Sequence, residues 1–256
     1  MSQLPRHGSA AEDLELSKLE IYLQGLEGEL TLRELDYVSR HAELQIFEAK
    51  YFAVVGTRLA RIDNLLSQIA TSEAKRNPES QAAESAAKDA HKRSQESEDA
   101  LNHQRSKPTS TYIPSGAMKK LYREGARIVH PDLGSGKNDQ IRRDRAMSAL
   151  NDAYERGDED AIRRIIEEFK AGAQPDVHML PAQRITHIRS KIAKVQARLA
   201  QLADDIKAMD ESELHQLLRK ADLADGCGQN LLAIMADELD KEIARLQSEV
   251  IRHDRL

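Results

Sequence analysis

The sequence predicts an all-α protein in which a short helical module sits between long coiled-coil helices, and three observations carry that prediction. Turn formers are scarce: 12 Gly and 7 Pro occur in 256 residues, where average usage would give roughly 18 and roughly 13. Bulky strand formers are scarce too, with no Trp, three Phe and six Tyr, which argues against a sandwich, a barrel or a Rossmann sheet. Apolar residues instead recur at spacings of three and four over long stretches, the period of a helix face.

The first such stretch covers residues 12–70. Leu16, Leu19, Leu23, Leu26 and Leu30 lead to Leu35 and Val38, and the spacing resumes at Tyr51, Val55, Leu59, Ile62, Leu66 and Ile69. This predicts one long helix, or two broken near Gly56. Residues 71–111 follow with a single large aliphatic, Leu101, among Ser, Ala, Glu, Gln and Lys. So little apolar surface cannot offset the entropy of ordering, and the stretch reads as a polar linker whose alanines permit a solvated helix.

Residues 112–171 carry clear punctuation for three short helices. Ser115 is placed to cap the first, whose apolar face is Met118, Tyr122, Ala126 and Val129 and which Pro131 stops. Met147, Leu150 and Tyr154 mark the second, ended by Gly157. Asp158, Glu159 and Asp160 open the third, where the helix dipole favours acids, and Ile162, Ile165, Ile166 and Phe169 form its apolar face. In residues 184–253, Ile185, Ile188, Ile192, Val195, Leu199, Leu202, Ile206 and Met209 step three, four, three, four. That is the seam of a coiled coil. A second set from Leu232 to Val250 follows a break at Asp225-Gly226-Cys227-Gly228, predicting a returning helix. Both long stripes need cover, which pairing within one chain or between two copies would give; the long intervening stretch favours the intrachain version.

The net charge of -5 disfavours nucleic acid as a partner. The lone cysteine, Cys227, rules out an intramolecular disulfide, and the nine histidines lack metal-ligand spacing. With no apolar run suited to a signal peptide or a membrane span, the expected location is cytoplasmic, without a membrane partner. No cofactor and no metal are expected.

Chemistry concentrates in residues 118–154. Met118-Lys119-Lys120-Leu121-Tyr122-Arg123 opens a basic helix, His130-Pro131-Asp132 follows it, and Asn151-Asp152-Ala153-Tyr154 closes the next helix. Between residues 118 and 129, Lys119, Lys120, Arg123 and Arg127 stand against Glu124 alone, a local charge of +3. This arrangement resembles the J domain of DnaJ-type co-chaperones over about 55 of the 256 residues. The resemblance implies a non-enzymatic module that docks on a DnaK-type heat-shock ATPase and stimulates its ATP hydrolysis. It further implies that Lys119, Lys120, Arg123 and Arg127 form the docking face and that His130, Pro131 and Asp132 act as the trigger, in an exposed loop. The coiled-coil arms would then hold a client or partner protein.

The sequence departs from that family in three respects, one being that Glu124 and Ile128 occupy positions that are often basic. No first helix precedes Met118, so Tyr112 and Ile113 are expected to tuck under the basic helix, with Met118, Tyr122, Val129, Met147, Leu150 and Tyr154 otherwise partly uncovered. Gly125 stands where the family usually has leucine. The other reading is a structural coiled-coil adaptor with a degenerate module. For His130 and Asp132 the bland reading is an ordinary turn. Gly134-Ser135-Gly136-Lys137 lacks the spacing, the following Ser/Thr and the strand of a phosphate loop.

Overall fold

The computed structural model describes residues 10–106, 112–134, 137–172 and 181–254, and among them it is all-α, with no strand. The chain divides into two units, Met1–Glu43 with Ser110–Glu211 and Leu44–Thr109 with Ser212–Leu256.

The first unit has a stem and a module. Helix α1 spans Ala10–Tyr51, and its residues up to Glu43 belong to this unit. The module holds α4 (Gly116–Val129), a 3-10 turn (Pro131–Leu133), α5 (Lys137–Arg156) and α6 (Glu159–Ala171), and α7 (Pro181–Glu211) completes the stem. The heptad stripes meet as their spacing demands: Leu16, Leu23 and Leu30 of α1 bury with Ile185, Ile188, Ile192, Val195 and Leu202 of α7. Tyr22 accepts from Gln196 at 3.1 Å, and ion pairs join Glu15 to Arg189 at 2.5 Å and Arg40 to Asp210 at 2.9 Å. These partners rise in number together, so the two helices run parallel. The apolar seam carries the association, because exposed ion pairs contribute only about 0–1 kcal/mol each.

In the module, Ser115 caps α4 by accepting from the Met118 N–H at 3.1 Å, and Asp158 caps α6 by accepting from Ala161 at 2.8 Å. Gly157 ends α5 with a φ of 74°. A Cβ there would fall into the Tyr112 ring. Met118, Tyr122, Val129, Met147, Leu150 and Tyr154 are all buried, contrary to the expectation that the missing first helix leaves them partly uncovered. The cover comes from α1. Val38 is part of this core and Leu35 packs on it, while the Ser39 and Tyr154 hydroxyls share a hydrogen bond of 2.8 Å. Tyr112 packs on the core as expected, but Ile113 is 75% exposed and gives no cover. Gly125 also has a reason to be there: a Cβ would stand 2.8 Å from the Leu150 side chain and 3.4 Å from Ile166.

The second unit contains the end of α1, a π-helical turn at Phe52–Gly56, α2 (Thr57–Arg76), α3 (Gln81–Ser106), α8 (Glu213–Gly226) and α9 (Leu231–Asp254). The break near Gly56 is this π turn. Leu65 and Ile69 of α2 bury against Leu246 of α9, and Arg58 donates to both Asp240 carboxylate oxygens at 2.9 and 3.0 Å. The polar stretch expected as a linker holds α3, which returns along α2. Ser94 is buried, and Ser97 donates to Asp63. The physical reason is size: Ala and Ser side chains let two helices approach closely without a large apolar stripe. C-terminal to the seam, the chain breaks twice, at Ser212, which caps α8 by accepting from His215 at 3.2 Å, and again at residues 227–230.

Candidate functional site

The site is the end of α4 and the turn behind it. The 3.6-residue period of α4 puts Met118, Leu121, Tyr122, Gly125, Ala126 and Val129 into the core. Lys120, Arg123 and Arg127 are left exposed on the outer side and Lys119 is half-buried. Glu124 on the same side is drawn to Lys170 of α6 at 3.5 Å, so the outward face of α4 is net cationic.

Pro131 fixes its own φ and disfavours a helical conformation at the residue before it; accordingly His130 leaves the helix with φ -56° and ψ 129°. The turn is stiffened from within. The His130 Nδ1 accepts from the Asp132 backbone N–H at 3.2 Å. Arg143 of α5 donates to the carbonyls of Ile128 at 2.8 Å and His130 at 3.4 Å, and Asp139 holds that guanidinium from the other side at 2.8 Å. Two carbonyls at the end of α4 thus find a cation, as a helix C-terminus favours.

The tripeptide is not exposed as the sequence suggested. His130 is 3% exposed and lies against the stem. Because its Nδ1 accepts from Asp132, Nε2 carries the hydrogen, and this nitrogen donates to Glu34 Oε1 of α1 at 3.2 Å. The same carboxylate oxygen accepts from Arg198 Nε of α7 at 2.8 Å. Leu133, three residues on, packs on the stem's apolar seam. An imidazole, a carboxylate and a guanidinium from three different elements therefore close one buried polar cluster, in which each has a partner. That is the condition for burying such groups.

The environment tunes both carboxyls. Burial pushes the Glu34 carboxyl up, but the hydrogen bonds from His130 and Arg198 and the charge of Arg198 outweigh it and hold it below the usual glutamate value. Asp132, with a side chain 19% exposed, is shifted up by burial against the pull of Arg198 and Lys194, with the Glu34 charge adding to the rise. Pro131 is half-buried.

The structure thus separates the seven residues singled out from the sequence in kind: a cationic face on which Lys120, Arg123 and Arg127 are exposed, and a turn in which His130 is buried and Pro131 and Asp132 are half-buried. Sequence reasoning missed Glu34, Arg198 and Arg143. Ser135 and Gly136 of the loop dismissed as a phosphate cradle lie outside the described residues. Among the described residues, no three His, Cys, Asp or Glu side chains converge as a metal ion would need, and no helix is long and apolar enough to cross a membrane. In comparison with known proteins, the chain matches no family model, no curated protein and no solved structure.

Proposed function

We propose that the chain is a J-domain-type co-chaperone, which docks on a DnaK-type heat-shock ATPase and stimulates its ATP hydrolysis, with the coiled-coil stem serving a client or partner protein. One observation carries this reading. The cationic face of α4, with Lys120, Arg123 and Arg127 exposed, leads directly into His130-Pro131-Asp132 on a well-packed three-helix module. A cationic face on a protein of net charge -5 steers association with an acidic surface and favours fast binding. The chain does no covalent chemistry of its own in this reading; its partner supplies the nucleotide site. The expected setting is the cytoplasm.

The burial of His130 favours a second reading, in which the tripeptide is a packing element and the chain is a structural coiled-coil adaptor. Single-turnover ATP hydrolysis by a DnaK-type chaperone, titrated with the full chain, separates the two. The proposed function expects hydrolysis to accelerate with the chain, and Lys120→Glu/Arg123→Glu/Arg127→Glu to remove the acceleration. These exposed changes leave the core intact. If neither the native chain nor a variant lacking the Glu34 carboxylate accelerates hydrolysis, the adaptor reading stands and the co-chaperone reading falls.

A further inference from the structure

We infer that the stem is a built-in latch on the module: Glu34, held by Arg198, keeps His130 out of reach of the chaperone, so that docking and stimulation are separately controlled. This rests on the co-chaperone reading and names the regulation of that same site.

Geometry separates the two halves of the site. Lys120, Arg123 and Arg127 are exposed, so the cationic face is available for encounter. His130 is 3% exposed, and both its ring nitrogens are engaged, one by the Asp132 N–H and one by Glu34. An imidazole with both nitrogens committed inside the protein cannot contact a second protein. In the closed form the chain would bind through its charges without delivering the trigger, and stimulation would come from the open fraction alone.

The contact is also built to open. When His130 leaves, Glu34 keeps its hydrogen bond from Arg198 at 2.8 Å, so no buried charge is stranded. The turn keeps its own conformation, because the Asp132 N–H to Nδ1 bond and the Arg143 bonds lie wholly within the module. Among the described residues its ties to the stem are the His130–Glu34 hydrogen bond, the apolar contact of Leu133 and the attraction of the Asp132 carboxylate to Arg198 and Lys194. Closed and open forms therefore differ by few interactions, which is what a two-state element requires. A stem ligand that favours the open form would raise stimulation by as much as it prefers that form.

The test compares the full chain with Glu34→Ala and, as a variant that leaves the polar cluster in place, Leu133→Ala. If the closed form dominates, freeing the turn should raise chaperone stimulation on the order of tenfold or more at equal chain concentration, since apparent affinity scales with the competent fraction. Mass spectrometry of imidazole C2–H exchange supplies a readout that needs no mutation. His130 should exchange on the order of tenfold slower than the exposed His91 and His103 in the native chain, because burial limits solvent access, and approach their rate in the variants. Equal stimulation by native chain and variants, with the charge-reversed face abolishing both, would refute the latch and leave the co-chaperone reading intact. Fast His130 exchange in the native chain would refute the latch too. Absence of stimulation in all of them would remove the reading on which the latch rests.

Discussion

Removing Arg198 should cost this protein more than removing Glu34, and removing both should cost less than the two losses added. The reason lies in the exposures. The Glu34 side chain is 3% exposed and that of Arg198 29%. Arg198→Ala leaves an interior carboxylate with His130 as its one remaining hydrogen-bond donor among the described contacts, and stranding one member of a buried pair costs about 3–5 kcal/mol. Glu34→Ala leaves a guanidinium that can turn to water and an imidazole N–H without an acceptor, worth about 1–3 kcal/mol. The double variant strands no charge, so its loss should fall short of the sum by about 0.5–3 kcal/mol, the range of couplings between contacting groups. Urea unfolding followed by tyrosine fluorescence is the assay. No Trp is present and five of the six Tyr, at positions 22, 37, 112, 122 and 154, belong to the stem and module unit. If Arg198→Ala shifts stability by less than about 0.5 kcal/mol, the level of ordinary surface changes, or if the single losses simply add, the cluster is not the coupled buried unit described here.

Two further outcomes follow from single residues. Gly157→Ala places a Cβ in a left-handed conformation, φ 74°, and against the Tyr112 ring; a loss of about 2–4 kcal/mol is expected from strain plus overpacking, with Tyr112→Ala in the same chain restoring the overpacking part, read by the same urea midpoints. In acid, Glu34, whose folded value is lowered, contributes stability that is fully present above the ordinary glutamate range and lost as pH falls through the folded value. Asp132, raised, acts oppositely, giving stability at low pH that is lost as pH rises through its folded value. Glu34→Gln should therefore flatten the acid limb of stability against pH, and Asp132→Asn should be neutral or stabilising at pH 7; an unchanged acid limb in Glu34→Gln would refute the assignment.

Much of this architecture was legible because periodicity reports directly on which face of a helix is buried. The heptads from Ile185 to Leu202 and the leucines from Leu16 to Leu30 found each other within one chain, and Ser115, Asp158 and Gly157 cap and end helices where their backbone chemistry placed them. Periodicity says nothing about which partner a face meets. Helix α3 is legible only as a linker whose alanines permit a solvated helix, because Ala and Ser leave no apolar signature of packing. Glu34 escaped notice for a related reason. In a chain with 32% charged residues, one carboxylate between Leu30 and Leu35 reads as solvated, and only the turn that folds back onto it makes it buried. His130, read from local sequence alone, had the character of an exposed loop residue, because what covers it lies 96 positions away at Glu34.

The closed core of the module and the burial of His130 have one cause. Val38 and Ser39 of α1 complete the module's core through Tyr154 and its neighbours, and Glu34 stands one turn earlier on the same helix, so the segment that braces the module also reaches His130. Magnitudes decide whether these can come apart. Freeing the module from α1 would expose the 2% exposed Val38 and the underlying Tyr154, at about 1.5–3 kcal/mol for each large side chain returned to water, together with the Ser39–Tyr154 hydrogen bond. Freeing the turn alone gives up one hydrogen bond to a carboxylate, worth about 1.5–3 kcal/mol, the half-buried contact of Leu133 and a partly exposed attraction between Asp132 and Arg198. The turn is therefore the weaker joint, and His130 can leave Glu34 while Val38 keeps the core closed.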